Sequence, residues 1–231
     1  MLIENYNQVK KNVELACKRA GRDPREVTII AVSKTKPLSM VEELRKDKVM
    51  DFGENKVQEL KDKYEQISWP VRWHLIGHLQ TNKVKYIVDK VALIHSVDSV
   101  KLASQIDKEA QKHNVKEVPI LIQVNFAAED TKFGLDPKDV FDVVNEISKL
   151  EHVKIKGLMQ IAPFVENPEE NRPYFAAMKQ LSVDIKEKNF NNVDMSILSM
   201  GMTNDYEVAV EEGSTMIRVG TGIFGERNYN I

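Results

Sequence analysis

Eight short apolar runs alternate with amphipathic segments along the chain, and this alternation restricts the possible folds more than any other feature. The runs lie at residues 27–33, 49–53, 73–77, 92–97, 118–125, 153–161, 195–201 and 214–220. Strands separated by helices pair in parallel, because a parallel pair needs a long crossover connection. Closing eight such strands into a barrel leaves no free edge and suits a chain of 231 residues. We therefore predict an α/β fold with one domain over residues 1–231, a single (β/α)8 TIM-type barrel with an extra N-terminal helix.

An open doubly wound sheet is the alternative parallel fold. It would place a glycine-rich turn directly after the first strand, where this chain has the sequence SKTKP at residues 33–37. Two lysines and a proline form a poor cradle for a pyrophosphate, so the barrel is favoured.

The predicted helices are marked by capping residues. The first helix carries an apolar stripe from Leu2 to Ala20 and is expected to end at Gly21. The predicted N-caps of later helices are Ser39, Asn55, Asp136 and either Thr203 or Asn204, and a further helix is predicted from about Pro173.

Charge and composition narrow the classes of partner. Lys and Arg number 33 against 35 for Asp and Glu, which gives a net charge of −2 and no electrostatic basis for binding nucleic acid. One cysteine, Cys17, fits a reducing compartment. The N-terminus lacks the apolar core of a secretion signal, and no apolar run is long enough to span a membrane. A cytoplasmic protein is predicted.

The chemistry of a barrel of this type gathers at the carboxyl ends of its strands. The ends of the seventh and eighth strands, residues 199–205 and 218–225, offer hydroxyl groups and glycines but no lysine. Backbone N–H groups and hydroxyls at such a corner bind phosphate. We therefore predict a phosphate site there, without specifying the molecule to which the phosphate belongs.

Lys34 ends the first strand, and a lysine at a barrel rim can form an imine with an aldehyde. Lys36 would point to the same side as Lys34 if the segment were extended. An amine beside a phosphate corner leaves two classes open, a Schiff-base aldolase for a sugar phosphate and a pyridoxal phosphate protein. A metal site is a poorer interpretation, because His74 and His78 lie on a strand and its loop and no cysteine or carboxylate cluster completes them.

Five motifs in order carry a resemblance to a known family. They are AVSKTKP at 31–37, FGENKVQE at 52–59, WHLIGHLQTNK at 73–83, GLMQIAP at 157–163, and the segment at 198–227 that begins LSMGMTND and ends GIFGER. With these motifs the sequence resembles the YggS/PROSC family of pyridoxal phosphate homeostasis proteins. The fold of that family is similar to the N-terminal barrel of bacterial alanine racemase.

The resemblance implies a role for several residues. Lys34 would carry the internal aldimine to pyridoxal 5'-phosphate, Asn55 would lie beside the cofactor, and Arg218 would face the pyridine nitrogen. Lys132 matches a lysine that the family places on a nearby loop. By the same resemblance, the phosphate would be held by Ser199, Gly201, Gly220 and Thr221.

Arg218 also indicates what the bound cofactor would be used for. A guanidinium only donates hydrogen bonds, so the ring nitrogen opposite it stays unprotonated and the ring is a weaker electron sink. Racemases with this arginine add a tyrosine from a second domain, and we expect this chain to lack that domain. The expected function is binding, buffering or delivery of pyridoxal phosphate without robust catalysis; the alternative is an amino-acid racemase of low activity. Apo-enzymes that use the cofactor are candidate partners, and a monomer is expected.

Overall fold

Eight parallel strands form a closed barrel in the computed structural model, which describes residues 1–127 and 133–226. The strands are β1 Thr28–Val32, β2 Asp51–Glu54, β3 Arg72–Leu75, β4 Leu93–Val97, β5 Val118–Gln123, β6 Val153–Met159, β7 Val193–Met202 and β8 Met216–Val219. Each strand pairs with the next, and β8 pairs with β1 with Met216 opposite Thr28. The predicted (β/α)8 fold is confirmed, with strand ends that differ from the predicted runs by a few residues.

Helices surround the barrel in chain order. The α-helices are α1 Leu2–Arg19, α2 Leu38–Lys46, α3 Val57–Gln66, α4 Val100–Lys112, α5 Val140–Ile147, α6 Arg172–Glu187, α7 Tyr206–Glu211 and α8 Thr221–Phe224. The connection between β3 and β4 contains a 3-10 helix, Thr81–Tyr86, in place of an α-helix. No helix within residues 1–127 and 133–226 combines the length and the apolar character needed to cross a bilayer.

The N-terminal helix α1 packs on the outside of the barrel beside α7 and α8. Its predicted apolar stripe is buried, and Cys17 at its end is fully inaccessible. Asn12 donates a side-chain hydrogen bond to the hydroxyl of Tyr206 in α7, at 2.8 Å. Asn5 does the same to the carbonyl of Ile223 in α8, at 3.0 Å. The extra helix therefore supports the last two strand–helix units, which carry much of the site described below.

Two predicted helix caps are wrong. Helix α2 begins after Pro37 and α3 begins after Lys56, and neither start has a side-chain cap, so Ser39 and Asn55 do not serve as caps. At α3, Gln58 is the predicted partner of Asn55, but its side-chain amide donates to Asp62 at 2.7 Å, further along the same helix. A contact along α3 thus takes the place of the contact predicted at its N-terminus.

The other helix starts are closer to prediction. Asp136 accepts a hydrogen bond from the Lys138 amide and caps the 3-10 turn that leads into α5, as predicted. Helix α6 begins at Arg172 with Pro173 in its first turn. The N-cap position of α7 is Asp205, one residue beyond the predicted pair Thr203 and Asn204.

Candidate functional site

Lys34 lies in the turn that directly follows β1, at the carboxyl end of the barrel, and it is half-buried. The next residue, Thr35, has a φ of 62°, so the segment is not extended beyond Lys34. Lys36 consequently takes its own course. Its amine donates to the carbonyls of Phe224 and Glu226, at 3.1 and 3.2 Å, and links this turn to the end of α8.

Both neighbours of Lys34 in the chain are held by helix α3. The backbone N–H of Thr35 donates to Glu59 Oε1 at 2.6 Å, and Lys63 donates to the carbonyl of Ser33 at 2.8 Å. Glu59 and Lys63 are themselves joined at 2.9 Å. Because the two contacts lie on either side of Lys34, they fix the backbone from which its side chain starts.

A buried carboxylate completes this support. Glu54 Oε1 accepts from Lys63 at 2.7 Å and from the hydroxyl of Ser33 at 2.6 Å. Burial raises the pKa of Glu54, although the Lys63 charge and the two hydrogen bonds oppose the rise. The second oxygen, Oε2, is buried and has no hydrogen-bond partner in the described part of the chain. One ammonium group, that of Lys63, is therefore shared by two carboxylates; we call Ser33, Glu54, Glu59 and Lys63 the turn clamp.

Arg218 on β8 is buried between the strands that carry the other predicted site residues. It pairs with Ile30 on β1 and with Met202 on β7. Its guanidinium donates to Ser199 Oγ at 2.6 Å and to the carbonyl of Gln160 at 2.7 Å, and both acceptors are neutral. Burial lowers the pKa of Arg218 to about 10, against the opposing charge of Asp205.

A hydrogen-bonded chain leads from Arg218 through the barrel interior. Ser199 Oγ lies 2.9 Å from His95 Nδ1, His95 Nε2 lies 3.0 Å from His74 Nδ1, and His74 Nε2 lies 3.0 Å from Asp51 Oδ1. We call these five residues, including Arg218, the interior chain. They come from β8, β7, β4, β3 and β2, and all of them are buried.

The two ends of the interior chain differ in charge. Burial disfavours an ionised Asp51, but hydrogen bonds from Arg72 and His74 outweigh it and lower the pKa of Asp51 to about 2. Burial lowers the pKa of His95 well below its ordinary value, and the neighbouring His74 and Arg218 side chains act in the same direction. At neutral pH the chain therefore joins a cation and a carboxylate through neutral His95.

The predicted phosphate corner brings the loops after β7 and β8 together. The hydroxyls of Thr203 and Thr221 lie 3.3 Å apart, and the Gly222 amide donates to Thr203 Oγ1 at 3.4 Å. Gly220 precedes Thr221 at the start of α8. Two hydroxyls and glycine backbone therefore meet at this corner.

Gly201 and Ser199 have surroundings that the sequence did not indicate. Gly201 has a φ of 91°, and a Cβ there would lie 2.6 Å from the Ala209 Cβ and 2.9 Å from the Tyr206 Cα, so the glycine allows α7 to pack on β7. The Ser199 hydroxyl is bonded to Arg218 and His95.

The remaining predicted residues are placed as follows. Asn55 follows β2 at the same end of the barrel, and its backbone lies against Gly77, where a Cβ would be 2.3 Å from the Asn55 carbonyl oxygen. Lys132 lies outside the described residues. The individual roles given to Lys34, Asn55, Arg218 and the phosphate residues remain predictions.

Sequence reasoning missed several residues of this site. The missed set is Asp51, Glu54, Glu59, Lys63, His74, His95, Gln160 and Thr203. A usable signal existed for two of them, because His74 lies between Trp73 and Leu75 and His95 follows Ile94, each within a buried part of its strand. Such residues are buried only when they find hydrogen-bond partners.

Comparison with known proteins identifies the class of barrel. The family described as alanine racemase, N-terminal domain, matches residues 5–228. The alanine racemase of Clostridium difficile 630 superimposes with a TM-score of 0.75 at 15% identity, covering 99% of this chain and 57% of that one. Fold and family match together define a barrel of the alanine racemase N-terminal class.

Closer relatives identify the family within that class. The pyridoxal phosphate homeostasis protein of Aquifex aeolicus is 43% identical over 227 residues, 98% of each chain. The protein of that name from Pseudomonas aeruginosa is 34% identical, over 99% of this chain and 96% of its own. PipY of Synechococcus elongatus, solved with PLP bound, has a TM-score of 0.81 at 34% identity and covers 93% of this chain and 100% of that chain. The chain belongs to the family of pyridoxal phosphate homeostasis proteins, which confirms the resemblance found in the sequence.

Proposed function

We propose that this protein binds pyridoxal 5'-phosphate at the carboxyl end of its barrel, through Lys34, and serves the homeostasis of that cofactor. The observation that carries the proposal is the buried guanidinium of Arg218. Its strand, β8, pairs with β1, which leads to Lys34, and with β7, which leads to Thr203. The names of the relatives and the PLP-bound structure of PipY support it.

The residues present fit this cofactor. Arg218 offers donors only, which suits an unprotonated pyridine nitrogen as the acceptor. The turn clamp holds the backbone of Lys34, whose amine is the group that would attach the aldehyde. When bound, the cofactor supplies that aldehyde and a ring that withdraws electrons.

For the phosphate we propose Gly220 and Thr221, together with Thr203, whose hydroxyl lies at the same corner. Ser199 contributes by holding Arg218, and Gly201 contributes by letting α7 pack beneath the loop after β7. We place Asn55 beside the cofactor, since it follows β2 at the same end of the barrel.

Binding is proposed rather than turnover because Arg218 cannot protonate the ring nitrogen. An unprotonated ring stabilises a carbanion less well, so the racemase alternative is not favoured. We further propose a monomer in the cytoplasm that passes the cofactor to apo-enzymes. Transfer to an apo-enzyme in the presence of a phosphatase that destroys free cofactor would test that role.

The test of cofactor binding is an absorbance spectrum after incubation with pyridoxal phosphate, followed by borohydride reduction and peptide mass mapping. The expected result is an imine band and a reduced pyridoxyl adduct on Lys34, both lost in Lys34→Ala. Lys36→Arg is the matched control, because it keeps a cation beside α8 and should keep the band. A protein that stays colourless contradicts the proposal, and robust exchange of an amino-acid α-hydrogen in heavy water would favour the racemase alternative.

A further inference from the structure

The interior chain joins a group that can only donate hydrogen bonds to a group that can only accept them. Arg218 carries no acceptor, and the ionised carboxylate of Asp51 carries no donor. Between them stand Ser199, His95 and His74, each of which can donate one hydrogen bond and accept another when the imidazoles are neutral. The chemistry of the two ends therefore decides the direction of every bond between them.

That direction can be followed one atom at a time. Asp51 Oδ1 must accept, so His74 carries its hydrogen on Nε2 and leaves Nδ1 as an acceptor. His74 Nδ1 then accepts from His95 Nε2, which leaves His95 Nδ1 free to accept from the Ser199 hydroxyl. Ser199 thereby turns its hydrogen toward His95 and a lone pair toward Arg218. With both imidazoles neutral, this path places the hydrogen on Nε2 of each ring, and each donor along it has an acceptor.

We propose that Asp51, His74 and His95 are positioning residues for Arg218, which keep the Ser199 lone pair directed at the guanidinium and so hold Arg218 in place for the ring nitrogen. The proposal rests on the proposed function. The Gln160 carbonyl holds the second guanidinium nitrogen, so two fixed acceptors set the plane of this side chain. Arg218 is buried without a direct bond to a carboxylate among its described contacts, and this makes its orientation depend on these neutral acceptors.

An additional proton on the pair His74 and His95 would leave the buried Ser199 hydroxyl without an acceptor. A second proton on the histidine pair would make His95 Nδ1 a donor, and Ser199 would then face two donors with its own hydrogen lacking an acceptor. A buried hydroxyl without a partner is costly. The charged groups around the pair are Arg218 at one end and Asp51 with Arg72 at the other, and full burial also keeps His95 neutral.

The first test needs no cofactor. Long-range proton–nitrogen NMR of the ¹⁵N-histidine-labelled protein at neutral pH distinguishes the two neutral tautomers and the charged ring. The chain has five histidines, so the spectra can be assigned by single substitutions. We expect neutral rings with the hydrogen on Nε2 for His74 and His95. A hydrogen on Nδ1 of either ring, or a doubly protonated ring, would overturn the proposal.

The second test measures the consequence for the site. His95→Phe removes the acceptor of the Ser199 hydroxyl while keeping a ring of similar shape. We expect the affinity for pyridoxal phosphate to fall by about tenfold, in line with the loss of one buried hydrogen bond. The resonance of the ring nitrogen in ¹⁵N-labelled cofactor should also shift, which a general loss of stability would not produce.

The control for that test is Val144→Ala, which removes volume from the buried face of α5, away from the interior chain. It should lower stability and leave the ring-nitrogen resonance unchanged. His74→Phe serves as a second variant if His95→Phe does not fold, because it removes the acceptor of His95 Nε2 while keeping a ring of similar shape. Unchanged affinity and resonance in the folded variant refute the positioning role. Absence of pyridoxal phosphate binding by the wild-type protein refutes the proposed function instead. The tautomer measurement does not depend on cofactor binding and remains valid in that case.

Discussion

At the scale of single residues, Lys63 is a buried ammonium on which the backbone around Lys34 depends. It joins Glu54, Glu59 and the Ser33 carbonyl within 2.9 Å, and its side chain is only 8% exposed. Removing one member of a buried ionic group leaves the others without compensation, which is more damaging than never having had them. The turn clamp is therefore expected to couple stability to the geometry of Lys34.

Lys63→Met tests this coupling. We expect a loss of about 3 kcal/mol in the free energy of unfolding at neutral pH, because two carboxylates would share a buried site without a cation. Burial raises the pKa of Glu54, so ionisation of this carboxyl destabilises the folded state. That loss of stability grows as the pH rises toward the folded-state pKa. The deficit should accordingly shrink as pH is lowered toward 5, measured by urea unfolding at several pH values.

Two further variants make that experiment decisive. Lys61→Met removes a partly exposed lysine from the same helix, and its ion pair with Glu65 should contribute little. Lys63→Met combined with Glu54→Gln should recover part of the lost stability. A deficit in Lys63→Met no larger than that of Lys61→Met would show that the turn clamp does not stabilise the fold.

The sequence predicted site residues well where a single polar residue stands out from the apolar residues around it. Lys34 interrupts an apolar run at a strand end, and Arg218 stands within another such run, so both were visible in the sequence. Glu59 was not, because its contact with the backbone amide of Thr35 spans 24 positions of the sequence. The local capping patterns at Ser39 and Asn55 did not locate the helix starts, which lie after Pro37 and Lys56.

At the scale of elements, β7 and α7 are joined by a contact that requires glycine. Gly201 has a φ in the left-handed region, and its missing side chain leaves room for Tyr206 and Ala209 of α7. The same strand end carries Ser199 and Thr203, which face different parts of the site. A change at Gly201 should therefore disturb both the helix packing and the phosphate corner.

Gly201→Ala should destabilise the protein by about 2 kcal/mol or more, since backbone strain adds to a clash with the backbone of Tyr206. Gly21→Ala is the matched control: Gly21 also has a positive φ, at 66°, but a Cβ there would meet nothing within 4 Å. That variant should lose only about 1 kcal/mol, from strain alone. Thermal unfolding of both variants measures the difference, and equal losses would rule out the packing argument.

The strands were predicted accurately because a local run of apolar residues marks each of them. The register between neighbouring strands has no such local signal. The periodic apolar runs located all eight strands, and the parallel order followed from the connections between them. Which polar side chains meet inside the barrel depends on how far each strand is shifted against its neighbour. Ser199 was read from sequence as a phosphate residue, and only the register shows its hydroxyl between Arg218 and His95.

At the scale of the whole molecule, the interior chain ties five strands together and makes barrel stability sensitive to acid. His95 has a folded pKa well below its ordinary value of about 6.5, so the unfolded chain binds that proton first. Stability from this group is present above about pH 6.5 and declines as pH falls below it. Asp51 acts in a lower window, because its folded pKa of about 2 lies below the ordinary value of 3.8.

We therefore expect the free energy of unfolding, measured in urea, to fall in two stages as the pH is lowered from 7.5 to 2.5. His95→Phe should flatten the upper stage. Asp51→Asn should reduce the lower stage by about 2 kcal/mol, from the difference between the two pKa values of that carboxyl. Asp23→Asn is the control: the pKa of Asp23 is also about 2, but its partner Arg25 is two residues away on an exposed turn, where the pair can persist in the unfolded chain. Its acid profile should match the wild type, and a lower stage of undiminished size in Asp51→Asn would show that the interior chain does not couple the barrel to acid.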